Sequence, residues 1–523
     1  MNLRVTNVNV SSRAVHASRT GKKLLALFLA AVLLALALAA CNAKNETDNI
    51  KGSEGAQGAV EGEEAEEQQP STERLYPDLE AKDFGGYEFV FLARTISSAD
   101  WAEWDHRDLY AEEVNGDVIN DAVFNRNKKI EEKYNISISE IVVENPQVTS
   151  LTQKAVKAGD DTYDVIAPHI KEVASLAQGG NLMDLFGVPN LDLEKPWWSQ
   201  GCIRDLSIIG RLFVLQGDLL IMDNDAMEAM IFNKSVLQDH ELEDPYEIVK
   251  KGEWTFDKLM EMGRKVSKDL NGDGTMYIQD DMFGYILQGD TAASFIVSGG
   301  EKIVDKDAND RPIITFGSER CYNITEKLTE MLSDTDNSVN LHSYEGKFPI
   351  YDEQVKMFSE NRALFSWIRM RIVERLRGME MDFGILPCPK LDAAQPNYIT
   401  NNNPHTGAGV SIPVTAGDIE RTGMILEDLC AESRYTLQPA YYDINLKGKY
   451  ARDDESQEML DIILANTAHD IGYVYDFGGM GSGTCERYGR DMKVDWASQF
   501  AKLEGKMETA IEKMVDAYEK IEQ

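Results

Sequence analysis

Three stretches decide the fold: YEFVFL at residues 87–92, VINDAVFNRNKKIEEKY at residues 118–134 and DVIAP at residues 164–168. The first and third are short apolar runs, which are typical of buried strands. The second places Ile119, Val123 and Ile130 on one side of a helix. Between them, residues 136–143 (ISISEIVV) predict a strand and residues 151–156 a short helix. Alternating strands and helices favour parallel pairing, so the sequence predicts an α/β fold.

The C-terminal end has a different pattern. Apolar residues recur there at steps of three and four: Val494, Trp496, Phe500, Leu503, Met507, Ile511, Met514 and Tyr518. This spacing predicts one long amphipathic helix that packs against the folded body.

Composition excludes some classes of protein. The chain has 523 residues, 43% of them hydrophobic, and this excludes a wholly disordered protein. Its formal net charge of −36 argues against neutralisation of phosphates, so we expect no nucleic-acid partner. Five cysteines, from Cys202 to Cys485, are scattered without a Cys-x-x-Cys pair. We predict buried thiols for them, although one or two disulfides are compatible with the spacing.

The first forty residues have the pattern of an export signal. Five basic residues and no acidic residue precede an apolar run at residues 24–40. The run ends in Leu38-Ala39-Ala40-Cys41, which resembles the bacterial lipoprotein box. That resemblance implies that residues 1–40 are removed and that Cys41 is lipidated, for example with palmitate, anchoring the protein to the cell membrane. An uncleaved membrane anchor is the alternative. Residues 41–83 are predicted to form an acidic, disordered tether.

Four segments resemble the extracellular solute-binding proteins of ABC importers, family 1. They are AMEAMIFNKSVL at residues 226–237, GEWTFDKL at 252–259, FSENRALF at 358–365 and DFGILPCPK at 382–390. Their order and spacing match the family, and one difference is that Asn361-Arg362 replaces the usual Gly-Lys. In the second segment, Thr255 is a suitable helix N-cap.

This resemblance implies a two-lobed periplasmic-binding-protein fold with a hinge between the lobes. The first lobe would contain residues 84–225 and 386–445, and the second residues 226–385 and 446–523. A solute would bind between the lobes at the carboxyl ends of strands, and the closed form would be recognised by an ABC permease. The protein would act outside the cytoplasm, as a monomer.

The cleft residues are predicted from aromatic and charged residues near turns. Aromatic rings suit the C–H faces of sugars, and carboxylates accept hydrogen bonds from hydroxyl groups. The predicted ligand-binding residues are Trp101, Trp104, Asp105, Trp198, Asp223, Asp225, Trp367, Arg369, Tyr441 and Tyr442. The set favours a carbohydrate, whereas an oligopeptide or another organic solute is a second hypothesis. For any single tryptophan, core packing is the competing interpretation.

The segment DLNGDGTMYIQD at residues 269–280 matches a calcium loop. Its predicted ligands are Asp269, Asn271, Asp273, Thr275 and Asp280. Asp280 replaces the usual bidentate glutamate, and no second helix completes an EF-hand. The alternative is a turn without a metal.

Catalytic motifs are absent from the sequence. It contains no HExxH, no G-x-S-x-G and no P-loop, so we expect no enzyme activity and no cofactor other than calcium. A glycoside-active enzyme with paired carboxylates is the alternative, since no sequence pattern identifies such a pair. A third hypothesis is a lipoprotein that presents its ligand to a sensor.

Overall fold

The computed structural model describes residues 74–95, 104–145, 147–289, 291–378, 382–442, 454–488 and 495–521. Cys41, the whole of residues 1–40 and Trp101 therefore lie outside the described residues. The predictions of a signal peptide, of lipidation and of a ligand contact at Trp101 remain predictions. Residues 74–83 have no helix or strand, and the backbone N–H of Leu75 donates to the hydroxyl of Tyr435 at 2.8 Å.

The strands are numbered in chain order. They are β1 Tyr87–Thr95, β2 Ile136–Glu144, β3 Val165–Ala167, β4 Glu228–Asn233, β5 Phe283–Leu287, β6 Val304–Lys306, β7 Pro312–Ile314, β8 Ser338–Asn340, β9 Ala363–Arg369, β10 Phe383–Leu386, β11 Thr400–Asn401 and β12 Thr467–Ala468.

The helices are named by their bounds. The α-helices are Val118–Tyr134, Gln147–Ala158, Ile170–Gln178, Gln200–Leu206, Met222–Asp225, Lys234–Asp239, Pro245–Lys250, Phe256–Gly263, Thr291–Ser298, Glu319–Ser333, Ile350–Ser359, Ile419–Ser433, Leu437–Tyr441, Asp454–Ala465, Ile471–Val474 and Trp496–Glu519. Tighter or wider helical turns cover Leu185–Gly187, Leu341–Tyr344, Met370–Gly378, Phe477–Gly479 and Gly481–Glu486.

The first sheet has the strand order β2-β1-β3, and both pairs are parallel. Asp117 caps the helix between β1 and β2 by accepting from the N–H of Asn120, and Asn135 ends it in the left-handed conformation. The parallel α/β start that the sequence predicts is thus confirmed. Single antiparallel bridges extend this sheet, from Ile166 to Ser411 and from Val410 to Leu215.

The second sheet has the order β10-β4-β9-β5-β8. Strand β4 runs antiparallel to both of its neighbours, whereas β5, β8 and β9 are parallel to one another. Every residue of β4, β5 and β9 is buried, as expected for strands covered by helices on both faces.

Short extended segments lie between the two sheets. Met227 bridges Asn402, and β11 pairs with β12 in parallel. The residues from Arg74 to Gln523 form one compact unit. The predicted division into residues 84–225 with 386–445 and residues 226–385 with 446–523 stays a prediction.

Several local predictions are confirmed. Thr255 caps the helix Phe256–Gly263 by accepting from the N–H of Lys258 at 3.2 Å. The C-terminal helix Trp496–Glu519 buries Met507, Ile511 and Met514 along one side. The described cysteines are all buried free thiols: Cys202, Cys321, Cys388, Cys430 and Cys485. In the part of the chain that the structure covers, no helix is both long and apolar enough to cross a membrane.

Candidate functional site

The carboxyl ends of the first sheet gather polar side chains. Because β1, β2 and β3 are parallel, Thr95, Glu144 and Ala167 end at the same edge of the sheet. Open parallel sheets bind ligands at this edge. Arg94 at the end of β1 and His169 just after β3 are buried polar residues at this position.

Arg94 holds two segments at this edge, one that follows β1 and one from far along the chain. Its side chain is fully buried, and its Nη1 donates to the carbonyl of Trp104 at 2.9 Å. Its Nη2 donates to the carbonyl of Thr406 at 2.7 Å. Burial lowers the pKa of Arg94 to about 10, so the guanidinium stays charged at neutral pH.

A chain of polar contacts continues from this edge. Lys171 Nζ lies 2.9 Å from His405 Nδ1, and His405 Nε2 lies 2.7 Å from Glu486 Oε1. The hydroxyl of Tyr473 donates to the same carboxylate oxygen at 3.1 Å. Although burial opposes it, hydrogen bonding and charge from His405 hold the pKa of Glu486 below its usual range.

The second sheet contributes Glu228 and Arg369. Glu228 at the start of β4 accepts from Asn403 Nδ2 at 2.9 Å and from Trp367 Nε1 at 2.7 Å. Arg369 at the end of β9 lies 3.5 Å from the amide oxygen of Gln288. Glu228 and Arg369 both interact electrostatically with Tyr473, so they join the polar chain from the first sheet. We call the whole group the strand-end cluster: Arg94, His169, Lys171, Glu228, Arg369, Asn402, His405, Thr406, Tyr473 and Glu486.

Some polar atoms of the strand-end cluster are buried without a hydrogen-bond partner among the described residues. They are Arg94 Nε, His169 Nδ1, Asn402 Oδ1 and Thr406 Oγ1. Buried polar atoms are nearly always paired, so such a group points to a ligand or to water as the partner. The atoms include both donors and acceptors, which suits a molecule that carries hydroxyl groups.

The ring of His169 offers an acceptor nitrogen to this group. Burial, followed by the positive charges of Arg94 and Lys171, lowers the pKa of His169 well below its usual value. When the Asn145 amide nitrogen faces Glu172, the Asn145 oxygen accepts from His169 Nε2 at 3.0 Å. The proton of the neutral ring is then on Nε2, which leaves Nδ1 as an acceptor.

The predicted ligand-binding residues fall into several places. Trp104 is 1% exposed and packs with Met222, Ala226 and Ala408. Asp105 lies near the end of β1 and accepts from the hydroxyl of Thr95 at 2.8 Å. These two therefore lie beside the strand-end cluster.

Trp198 and Trp367 are core residues in this structure. Trp198 is 2% exposed, and its indole N–H donates to Glu427 at 2.8 Å. Trp367 is 1% exposed, and its ring stacks on Phe295 with centroids 4.7 Å apart. Each indole N–H is already paired with a protein carboxylate, which matches the core-packing interpretation. Their role as sugar platforms stays a prediction.

Asp225 and Tyr441 lie in a network of ion pairs. Asp225 accepts from the hydroxyl of Tyr441 at 2.9 Å and pairs with Arg107 at 3.2 Å and Arg371 at 3.4 Å. Glu374 pairs with both arginines, at 2.6 Å and 2.9 Å. We call Arg107, Asp225, Arg371 and Glu374 the arginine–carboxylate network.

Trp198, Asp223 and Tyr442 come together at a third place. They line a cavity of about 460 Å³ with the segments around Gly217, Gln438 and Thr467. None of the lining residues belongs to the strand-end cluster. The nine predicted residues that the structure describes thus lie in several places, and their role in binding stays a prediction.

The predicted calcium loop is held by its own hydrogen bonds. Asp269 accepts from the N–H groups of Gly272 at 2.6 Å and Gly274 at 2.8 Å, and Asp273 accepts from Thr275 at 2.8 Å. Asp280 is exposed. Among the described residues, no group of three or more His, Cys, Asp or Glu side chains is arranged to hold a metal ion. Calcium binding here stays a prediction.

The sequence prediction missed much of the strand-end cluster. The local signal for His169 was present, because it directly follows the buried strand DVIAP. Thr406 and His405 could not be found in this way, since they reach the edge only through long-range pairing of His169 with Ala408.

Comparison with solved structures finds proteins of similar fold. One is an ABC substrate-binding protein of Listeria monocytogenes in complex with cycloalternan, with 10% identity, a TM-score of 0.50 and coverage of 82% of this chain and 98% of that one. Another is UgpB of Mycobacterium tuberculosis in complex with glycerophosphocholine, with 14% identity, a TM-score of 0.52 and coverage of 82% and 99%. A third is the cyclic α-maltosyl-1,6-maltose binding protein of Arthrobacter globiformis, with 14% identity, a TM-score of 0.51 and coverage of 83% and 99%.

No protein-family model and no curated protein matches the chain. The structural matches span nearly the whole length of each neighbour. The chain therefore has the two-lobed α/β fold of periplasmic binding proteins, and this prediction is confirmed. These structural neighbours are binding proteins, as the resemblance in the sequence predicts.

Proposed function

We propose that the protein captures a carbohydrate between its two lobes and delivers it to an ABC permease. The observation that carries this proposal is the set of buried, unpaired polar atoms in the strand-end cluster. Arg94 and His169 lie at the carboxyl ends of parallel strands, and Asn402 and Thr406 lie in the segment after β11. A ligand of this fold would contact both sheets at this edge.

The chemistry of these atoms supports a molecule rich in hydroxyl groups. A sugar hydroxyl both donates and accepts, so it can donate to His169 Nδ1 and accept from Arg94 Nε. Two of the structural neighbours bind cyclic oligosaccharides, and a third binds glycerophosphocholine, which also carries hydroxyl groups.

Calorimetry with maltose, maltotetraose and a cyclic maltooligosaccharide tests the proposal. Thr406→Val keeps the shape of the side chain and removes only the unpaired Oγ1. We expect about tenfold weaker binding, which corresponds to about 1.4 kcal/mol for one hydrogen bond. Thr509→Val on the exposed side of the C-terminal helix is the control and should bind as the wild type does. Equal affinity of both variants would place the sugar elsewhere.

The same experiment separates a binding protein from the alternative, a glycoside-active enzyme. A binding protein releases the oligosaccharide unchanged, so chromatography after long incubation should recover it intact. Shortened products formed by the purified protein would support the enzyme. A partner of a sensor would bind the sugar equally well but would not stimulate a reconstituted permease.

We also propose that the protein is a monomer outside the cytoplasm, anchored by lipid at Cys41. The Leu38–Cys41 box at the end of the apolar run supports this. Mass spectrometry should find a diacyl-modified Cys41 at the N-terminus of the mature protein. Cys41→Ala should leave the precursor uncleaved and without lipid, whereas an unmodified Cys41 in the mature wild type would contradict the anchor.

A further inference from the structure

The cavity lined by Trp198, Asp223 and Tyr442 adjoins the strand-end cluster, since Asn402 Nδ2 donates to the backbone carbonyl of Asp223 at 2.8 Å. We call it the Asp223 cavity. Its volume of about 460 Å³ is enough for a small organic molecule. Its walls come from segments before β4, from residues 434–442 and from residues 461–467, and they share no residue with the strand-end cluster.

Asp223 gives this cavity a buried carboxyl group. The residue is 6% exposed, and its carboxyl group accepts from the N–H of Asn224 at 2.8 Å. No lysine, arginine or histidine in the described part of the chain pairs with Asp223. Burial raises the pKa of Asp223 well above its usual value, and the nearby Asp108 and Asp218 raise it further. A buried carboxyl group without a cation is costly to ionise, so a positively charged partner would stabilise its carboxylate form.

The rest of the lining adds two more carboxyl groups. Asp218 pairs with Arg434 at 2.9 Å, so this guanidinium is already used by one carboxylate. Asp461 lies at the exposed rim. With Asp223, the lining carries three carboxyl groups and one guanidinium, which leaves two carboxyl groups without a cation in the lining.

Aromatic rings lie beside these carboxyl groups. Trp198 and Tyr442 both line the cavity, and the indole N–H of Trp198 is already bonded to Glu427. The surface of an aromatic ring attracts a cation, and the attraction is stronger where water is excluded. The described residues offer no group of carboxylates and histidines arranged for a metal ion, so this lining suits an organic cation.

We propose that the Asp223 cavity binds a small organic cation, either a protonated amine or a quaternary ammonium compound. Its charge would pair with Asp223, and its carbon atoms would pack on Trp198 and Tyr442. The walls include Met227, which directly precedes β4 of the second sheet, and Thr467 in β12. The occupant would therefore contact segments that run between the two sheets. This proposal does not depend on the carbohydrate function.

Calorimetry with putrescine and with tetramethylammonium tests the proposal on the full-length protein. We expect binding of at least one of the two cations, with at least tenfold weaker binding in Asp223→Asn. Asp336→Asn changes an exposed aspartate in the same way and should bind as the wild type does.

A second variant keeps the test decisive if Asp223→Asn does not fold. Tyr442→Leu removes the aromatic ring and leaves Asp223 in place, and it should also weaken cation binding several-fold. Circular dichroism establishes that each variant is folded. Absence of binding of both cations at millimolar concentration would overturn the proposal. So would equal affinity in the folded variants, or displacement of the cation by an uncharged polyol such as glycerol.

Discussion

Glu140 on β2 is a partly buried acid near His106, Asp108 and Asp105. Its Oε1 is buried without a hydrogen-bond partner in the described part of the chain. Burial raises its pKa to about 7, His106 opposes this rise, and Asp108 and Asp105 add to it. The folded protein therefore keeps this proton at pH values at which the unfolded chain, with an ordinary pKa of about 4.5, has released it.

The free energy of unfolding should thus fall as pH rises from about 4.5 to about 7, and Glu140→Gln should remove this fall. At pH 8 we expect the variant to be more stable than the wild type by about 3 kcal/mol, and at pH 4 nearly equal to it. Urea unfolding at both values measures the difference. Glu132→Gln, an exposed neighbour, is the control and should show no such trend. Parallel pH curves for Glu140→Gln and the wild type would contradict the prediction.

At the residue scale, the sequence indicated which residue types could bind a ligand but not where in the structure they lie. Asp223 and Tyr442 were chosen for their residue type, and the structure places both on one cavity. Trp367 was chosen for the same reason, yet its ring is stacked in the core. An aromatic residue near a turn can be exposed or buried, and the choice depends on helices from distant parts of the chain that cover it.

At the element scale, prediction from the sequence works where the periodicity is local. The strands β1, β2 and β3 and the helix Val118–Tyr134 follow the predicted bounds closely. The second sheet could not be derived in this way, because β10 and β9 reach β4 from far along the chain.

The substitution of Asn361-Arg362 for Gly-Lys has a structural reason. Asn361 has a φ of 60°, in the left-handed region that glycine and asparagine tolerate best. Arg362 donates to the carbonyl of Ile278 at 2.6 Å and pairs with Glu353 at 3.2 Å. It thus holds the end of the predicted calcium loop, and the difference from the family is compatible with the fold.

The same loop gives a prediction about Asp281, which the calcium pattern did not include. Asp281 is buried and accepts from the N–H groups of Leu270 and Tyr277 at 2.8 Å and 2.7 Å. Asp281→Ala leaves both groups without this partner and should lower the free energy of unfolding by about 2 kcal/mol. Asp280→Ala changes an exposed neighbour and, without calcium, should stay within about 0.5 kcal/mol of the wild type.

If the loop binds calcium, Asp280→Ala should lower the stability of the calcium-loaded protein, although it has little effect without calcium. After treatment with a chelator, added calcium should raise the melting temperature of the wild type, and Asp269→Ala and Asp280→Ala should reduce this rise. Differential scanning fluorimetry measures the effect. An unchanged melting temperature in the wild type would mean that the loop is a turn held only by its own hydrogen bonds.

At the scale of the whole molecule, the arginine–carboxylate network connects segments of the two sheets. Arg107 lies between β1 and the helix Val118–Tyr134, whereas Arg371 and Glu374 follow β9. Asp225 precedes β4 and pairs with both arginines. The network is partly shielded from solvent, since the Asp225 side chain is 3% exposed and that of Glu374 is 19% exposed. Such shielding makes these ion pairs stronger than pairs at the surface.

Breaking this network should favour an open arrangement of the two lobes. Glu374→Gln removes the charge that faces both arginines at 2.6 Å and 2.9 Å, with little change in shape. We expect a loss of about 1 kcal/mol from the closed form, and hence several-fold weaker sugar binding, because the ligand must then supply the energy of closure. Small-angle X-ray scattering of the unliganded variant should give a larger radius of gyration than the wild type, and 1 M salt should bring the wild type closer to the variant. Glu326→Gln on an exposed helix face is the matched control and should scatter as the wild type does. If Glu374→Gln keeps both the wild-type radius and the wild-type affinity, the network stabilises the fold locally and does not control closure.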